Sequence, residues 1–354
     1  MLYSILLAFV SSRKRGRPRF VHASHARPSL HRSTVVRRRA STLRIVMIQT
    51  SSAVDNFYMT EDVKNTPSRS KNVDEETEFL QRVYGALLIR SSCLLLQSPV
   101  SVVITAQTLL HRFYTKKSLT EYDVKLVATA CIALACKLEE KDRKLRDILN
   151  SVRRAVQRIE KKPRVVLPIN TPEYEISKTD AKNMEMVLLR EFGFFAHVSP
   201  PHPFAYTLGV HLNLSNELMK RIWTLCNDSA MTALCVRFKP QVVACGCIFL
   251  ASRELGIALP SRPPWYRLVE GATRENLEVI AQTILALHQL DEVEYKDLSG
   301  QGEEEAHVKK AERNDRRGSS RDRGYRRSRE SRSPEGSRRV RRRDSRDFDE
   351  ERRK

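Results

Sequence analysis

The sequence predicts an all-α protein in which one helical unit occurs twice, between two basic tails that do not fold. From about residue 75 to residue 290 apolar residues recur at helical spacing, and the alternation typical of strands is nearly missing. Two segments, Ser118–Glu140 and Pro240–Leu255, are apolar on nearly every face. Such helices require burial on all sides, so each is predicted to be the centre of a unit.

The two central segments also resemble each other. Ala130–Lys137 aligns with Gly246–Arg253, with identical residues at the first Cys, the Ile, the Leu and Ala135/Ala251, and a basic residue closing each copy. Ser118 and Glu121 have the spacing of a capping box, which predicts a helix start at Ser118. Pro240 suits the first turn of the other helix. We infer that one unit has been used twice.

Amphipathic segments surround the two central helices and are predicted to be helices as well. They are Val102–Tyr114, Leu145–Ile159, Ala181–Phe194, His202–Leu212, Glu217–Leu234 and Arg274–His288.

The net charge of +21 is concentrated at the two ends of the chain. Residues 1–54 carry eleven Lys/Arg and no Asp/Glu, and residues 301–354 carry twenty Lys/Arg against thirteen acids. Residues 55–300 are nearly balanced, with thirty-two basic and twenty-nine acidic side chains. We therefore expect the ends and the core to have different partners.

The sequence lacks the residues that several classes of function require. The seven cysteines form no CxxC pair and have no suitably spaced His, so core packing is predicted and neither a metal nor a cofactor is expected. No apolar run approaches the roughly 20 residues that span a bilayer, so no membrane partner is expected. Without a glycine-rich phosphate loop, a His-Arg-Asp loop or Asp-Phe-Gly, the chain is predicted not to be an enzyme and to have no small-molecule substrate.

Six motifs carry a family resemblance. They are Lys137–Glu140 at the end of the first central helix, His111–Tyr114, Asn65–Arg69, Asn227–Ser229, Val236–Phe238 and Leu259–Trp265. Together with the doubled unit they resemble the cyclin family, in particular the L-type cyclins, over about residues 55–290. The resemblance implies two tandem five-helix cyclin boxes.

The resemblance also implies a division of the chain. A basic, disordered leader would occupy residues 1–54, and residues 55–96 would lead into a first box at 97–198. The second box would occupy 199–290, and a disordered Arg/Ser-rich tail would occupy 291–354.

A cyclin is a regulatory subunit that binds and activates a cyclin-dependent kinase and performs no chemistry itself. In the family, the Lys closing the central helix and a Glu of the fifth helix form a polar pair facing the kinase. These positions resemble Lys137 and Glu185, and Glu140 of the same motif is a third candidate for kinase binding. Cell-cycle cyclins carry an Asp where His111 stands, and this Asp pairs with an Arg of the preceding helix, so that ion pair is expected to be absent.

The Arg/Ser-rich tail indicates in which cellular process the expected kinase would act. By resemblance, the kinase would be a PITSLRE-type or related transcriptional one, acting in pre-mRNA splicing and polymerase II transcription. Ser328, Ser331 and Ser333 lie among arginines and are candidate phosphorylation sites. Such a tail suits binding to Arg/Ser splicing factors or RNA and a nuclear location, in nuclear speckles.

The N-terminal residues are open to more than one interpretation. Arg13–Arg19 resembles an AT-hook, whose Arg-Gly-Arg-Pro core lies in the minor groove of DNA. Residues 1–46 are instead interpreted as a leader or an over-extended start, with Met47 as the candidate true start.

A different class of protein is the alternative. General factors of the transcription factor IIB type use the same repeats to bind promoter DNA. They carry a zinc ribbon, which needs CxxC pairs, and a basic core, and this sequence has neither.

Overall fold

The computed structural model describes residues 65–298, which form ten α-helices and no β-strand. The helices are α1 Glu75–Leu95, α2 Val100–Lys116, α3 Val124–Leu138, α4 Leu145–Ile159, α5 Pro172–Glu191, α6 His202–His211, α7 Asn216–Ser229, α8 Leu234–Arg237, α9 Pro240–Glu254 and α10 Arg274–His288. Two 3-10 helices, Arg69–Lys71 and Trp265–Leu268, complete the described part. The predicted all-α fold is confirmed there. The predictions for the leader, the AT-hook and the Arg/Ser segment lie outside the described residues.

Helix α3 is the centre of the first unit, because α1, α2, α4 and α5 all pack against it. Eleven of its fifteen residues are buried, among them Val127, Ile132 and Leu134. Burying one such aliphatic side chain stabilises the fold by about 1.5–3 kcal/mol. Tyr84 and Leu88 of α1 are fully buried in the same core, so α1 is part of the unit rather than a lead-in to it.

Helix α9 is the centre of the second unit, and α6, α7 and α10 pack against it. Gly246 stands where the first unit has Ala130. A Cβ at Gly246 would lie 2.4 Å from Ile280 Cγ2, so α10 can approach only a glycine here. The second unit also departs from the first, because the single 3-10 turn at Trp265–Leu268 stands between α9 and α10 where α4 stands between α3 and α5.

The predicted capping box at the start of α3 is wrong. The helix begins at Val124, and Ser118 Oγ instead accepts a hydrogen bond from the Thr120 backbone at 3.2 Å. Glu121 forms an ion pair with Lys71. Ser118–Tyr122 is a turn, stabilised by its own backbone hydrogen bonds, that separates α2 from α3.

The chain continues in an ordered form beyond α10, and residues 291–298 are here named the C-terminal strap. Val293 and Leu298 of the strap are buried against the core of the first unit. The boundary of the disordered tail predicted at residue 291 is therefore too early. The strap connects the end of the second unit back to the first.

Polar contacts hold the strap in place. The Gln81 side-chain amide pairs with the backbone of the strap as a neighbouring strand would. It donates to Glu294 O at 2.9 Å and accepts from Lys296 N at 3.1 Å. The Tyr295 hydroxyl donates to Asp123 Oδ1 at 2.9 Å. Lys125 Nζ lies 3.5 Å from the centre of the Tyr295 ring, a cation–π contact. The strap thereby also contacts the start of α3.

A buried carboxylate connects the two units. Asp228 of α7 is 6% exposed and accepts from Arg90 Nη1 of α1 at 3.2 Å and pairs with His288 Nε2 of α10 at 3.0 Å. A buried carboxylate needs partners of this kind, because an unpaired one is costly. Helix α8 adds a second contact between the units by packing against α2.

Both central helices end in the same backbone motif. After α3, Glu140 N donates to Lys137 O and Lys141 N donates to Cys136 O. After α9, Gly256 and Ile257 make the equivalent bonds to Arg253 and Ser252. This is the Schellman motif, which requires a left-handed residue just past the helix. Gly256 adopts φ 66° without strain, because it has no Cβ. Glu140 adopts φ 53°, where its Cβ makes the left-handed backbone strained.

We predict that Glu140→Gly raises the free energy of unfolding by about 0.5–1 kcal/mol, because it removes the left-handed strain at an exposed position. Urea denaturation measures the change. The matched control is Gly256→Ala, where an added Cβ would have no neighbour within 4 Å and only backbone strain is introduced. The control is expected to lower stability by about 1 kcal/mol. A loss of stability in Glu140→Gly would contradict the strain argument.

Candidate functional site

Lys137 and Glu185, chosen from the sequence, lie together in the structure. Lys137 is in the last turn of α3 and Glu185 is in the middle of α5, and Lys137 Nζ lies 2.5 Å from Glu185 Oε1. The two helices pack directly on each other, which brings the side chains within reach. The Lys137 side chain is 59% exposed and that of Glu185 is 14% exposed.

The exposure of the pair leaves bonding capacity for a partner. A lysine ammonium has three donors, and Lys137 uses one of them on Glu185. Glu185 Oε2 makes no hydrogen bond within residues 65–298, so the carboxylate can still accept. Because the Lys137 end of the pair is exposed to solvent, the pair contributes little to folding, roughly 0–1 kcal/mol. A contribution to folding stability therefore does not explain why Lys137 and Glu185 are paired here.

Glu140 does not join the pair. It lies just past the end of α3, where its left-handed backbone completes the Schellman motif, and its side chain is exposed. Its neighbour Glu139 is used structurally, since Thr105 Oγ1 of α2 donates to Glu139 Oε1 at 2.7 Å. The end of α3 is thus fastened to α2 by Glu139 and leaves Glu140 facing solvent.

Exposed apolar residues adjoin the pair along the chain or follow the end of α5, and the sequence analysis did not identify them. Leu138, next to Lys137, is 42% exposed, and Met186, next to Glu185, is 61% exposed. Phe194 and Phe195, just after α5, are 71% and 55% exposed. We name this set, together with Lys137 and Glu185, the α3–α5 edge. Met186 carried a signal in the sequence, because it falls outside the stripe of α5 that contains Tyr174, Ala181, Met184 and Leu188.

The ion pair beside His111, formed by Arg82 and Glu78 of α1, is buried. Arg82 pairs with Glu78 on its own helix, with Nη2 2.7 Å from Oε1 and both side chains buried. Arg82 also donates to the backbone oxygens of His111 and Tyr114. Burial lowers the pKa of His111 to about 3, so its ring is neutral at pH 7 and does not replace the Asp of cell-cycle cyclins. Glu78 supplies the carboxylate instead.

The cysteines are packing residues. Six of the seven are buried, and burial is a cause of the raised thiol pKa at Cys245, to about 12, and at Cys247. Residues 65–298 contain no group of three or more side chains placed to hold a metal ion. Within the same range, no helix combines the length and the apolar character needed to cross a membrane.

Comparison with protein families gives two adjacent matches that together cover both units. The N-terminal cyclin domain matches residues 57–195, and the C-terminal domain of the cyclin-T2-like type matches residues 201–287. The boundary between the two matches falls between α5 and α6.

Curated relatives are cyclins of the L type. Cyclin-L1-1 of Arabidopsis thaliana is 37% identical over 252 residues, which cover 71% of this chain and 60% of that protein. Cyclin-L1-1 of Oryza sativa is 40% identical over 69% of this chain and 57% of its own length, and human Cyclin-L2 is 36% identical over 72% and 49%. The chain thus spans about half to three fifths of the length of these relatives.

Solved structures share the fold. A chain of the yeast RNA polymerase II CTD kinase complex CTDK-1 matches 66% of this chain and 73% of its own length, with a TM-score of 0.53 and 19% sequence identity. Taken with the two family matches and the L-type relatives, this agreement leads to one conclusion: the chain is a member of the cyclin family, similar to the L-type cyclins.

Proposed function

We propose that this protein is the regulatory subunit of a transcription-type cyclin-dependent kinase and acts in pre-mRNA splicing and transcription by RNA polymerase II. The observation that carries the proposal is the α3–α5 edge. It combines a partly exposed ion pair that has spare bonding capacity with exposed apolar side chains on the same two helices and just after α5. Apolar anchors around a few oriented polar groups are the usual composition of a protein-binding surface.

The mechanism we propose is a population shift in the kinase. A protein kinase is active when its αC helix is held inward, so that the αC glutamate meets the lysine that binds ATP. Lys137 and Glu185 would bond backbone groups near αC, and Leu138 and Met186 would bury apolar surface beside them. Contact energy made only in the inward state shifts the equilibrium towards it, and the cyclin itself performs no chemistry.

The family supports the choice of partner. The relatives are L-type cyclins, and the yeast structure with the same fold is an RNA polymerase II CTD kinase complex. We therefore propose a PITSLRE-type or related transcriptional kinase as the partner, with Glu140 as an additional contact. The tail, through Ser328, Ser331 and Ser333, is proposed to regulate association with Arg/Ser splicing factors or RNA in nuclear speckles.

Charge reversal of Lys137 tests the proposed surface. Lys137→Glu is expected to reduce kinase binding at least about 30-fold, because removing one partner from an interfacial charged pair costs roughly 2–5 kcal/mol. The measurement is affinity capture of the kinase from nuclear extract, followed by a kinase assay on the eluate. Lys220→Glu, an exposed reversal in the second unit, is the matched control and should leave both unchanged.

The swapped variant Lys137→Glu with Glu185→Lys separates a kinase contact from an internal one. It restores the ion pair within the chain but presents the opposite charges to the kinase. Activation is therefore expected to stay low in the swapped variant. Recovery of activation would mean that the pair only supports the fold of the α3–α5 edge, and would overturn the proposed contact.

The tail is predicted to act on location and not on activation. Removing residues 301–354 should leave kinase activity in the eluate unchanged while lowering the recovery of Arg/Ser proteins and the nuclear fraction, because these residues carry the Arg/Ser segment. Mass spectrometry and fluorescence microscopy measure the two effects. An unchanged distribution and an unchanged set of captured Arg/Ser proteins would contradict this part of the proposal.

A further inference from the structure

Residues 55–300 are nearly neutral as a whole but contain one strongly basic stretch. Residues 141–164 contain ten Lys/Arg against three Asp/Glu, a net charge of +7, and the remainder of residues 55–300 has a net charge of −4. This stretch comprises α4 and the loops on either side of it. A local excess of this size produces a positive potential that an average over the core hides.

Helix α4 has one apolar face and one basic face. Its buried stripe contains Ile148, Leu149, Val152 and Ala155. The opposite face contains Arg146, Arg153, Arg154 and Arg158, which flank the segment 165–167, where backbone groups bond to Asn150 and Gln157 in the middle of that face. We name these four arginines the α4 basic face. From Arg146 to Arg158 it extends about 18 Å along the helix.

Within the described residues, two arginines of the α4 basic face have weak partners and two have none. Arg146 pairs with Asp147 and Arg153 with Glu173, and both pairs are solvent-exposed, so they dissociate readily in favour of another anion. Arg154 and Arg158 make no ion pair or side-chain hydrogen bond within residues 65–298. The face therefore presents donors that the fold does not use.

The placement of the positive charge at the start of α4 opposes helix stability. The N-cap of α4 is Lys144, whose side chain makes no capping bond, and Arg143 precedes it. The N-terminus of a helix favours anions, because its free N–H groups carry partial positive charge. Asp147 in the first turn and Arg158 in the last turn suit the helix dipole, whereas the cations before the N-terminus and along the exposed face are not explained by it and point to a ligand.

We propose that the α4 basic face binds the phosphate backbone of RNA. Arginine forks donate to phosphate in a bidentate manner, and four of them spread over about 18 Å of helix match a polymer with repeated charges better than a single phosphorylated residue. Residues 141–164 contain no aromatic residue, so bases have no platform to stack on and binding is independent of sequence. The choice of RNA rather than DNA rests on the proposed function.

This site is distinct from the tail. The RNA binding proposed for the Arg/Ser segment depends on residues beyond 300, whereas the α4 basic face belongs to the folded first unit. It is also distinct from the α3–α5 edge, since α4 directs these arginines to solvent and contributes none of the residues of that edge. The two proposals can therefore fail separately.

The test uses the full chain, without a kinase, and a fluorescent RNA stem-loop whose binding is followed by anisotropy over a range of salt concentrations. In Arg154→Glu with Arg158→Glu, affinity should fall at least about 10-fold, and the slope of log affinity against log salt should become shallower by about 1.5, as for two lost phosphate contacts. Lys220→Glu with Arg267→Glu, which changes net charge equally in the second unit, should lower affinity by less than about 2-fold.

Conservative variants test whether the glutamate variant loses RNA affinity through a loss of structure. Arg154→Lys with Arg158→Lys should retain most of the affinity, and Arg154→Gln with Arg158→Gln should lie between it and the glutamate variant. All are expected to melt as the parent chain does, because neither arginine has a partner in the described residues.

Three results would overturn the proposal. The first is an equal loss in both double reversals, which would assign binding to net charge or to the tail. The second is tighter binding of a DNA duplex with the same dependence on Arg154 and Arg158. The third is an α4-dependent affinity for a phosphoserine peptide while RNA binding is insensitive to the substitutions. Because no kinase is present, none of these results depends on whether the chain activates one.

Discussion

The structure depends on burying a helix that is apolar on all sides. Helix α3 has no face suited to solvent over most of its length, so other helices must surround it, and it becomes exposed at its last turn, with Lys137. That constraint determines where the candidate site lies. Because α5 packs along α3, Glu185 meets Lys137 at the point where the central helix becomes exposed. The second unit repeats the arrangement around α9, and Gly246 permits closer packing by α10.

The two units are joined by few but well-partnered polar groups. Asp228 links α7 to α1 and α10, and Gln81 pairs with the backbone of the C-terminal strap. Arg90, which bonds Asp228, and Gln81 both belong to α1, so α1 supports the core of the first unit and also receives the second unit and the strap. The first unit then presents two different outer surfaces, the α3–α5 edge and the α4 basic face.

Sequence periodicity predicted the helices best where amphipathicity was strong. Leu145–Ile159 and Arg274–His288 have the predicted bounds, because their buried stripes and polar ends are distinct. Helix α5 starts earlier than predicted, at Pro172, although Thr171 and Pro172 are a recognisable start signal. The C-terminal strap has no periodicity and is ordered only by tertiary contacts, so the sequence could not reveal it. The pairing of Lys137 with Glu185 was anticipated through the family resemblance, whereas the exposure of Met186 and Phe194 depends on packing and became visible only in the structure.

The most direct test of the central claim is a hydrogen-exchange comparison of the full chain, free and in complex with the kinase captured from nuclear extract. If the α3–α5 edge is the contact, exchange should slow at the last turn of α3, in the Schellman turn around Glu140 and along the outer part of α5 near Met186. The amides of α10 should be unaffected. Slowed exchange confined to the second unit, with none at the end of α3, would contradict the account and place the kinase on a different surface.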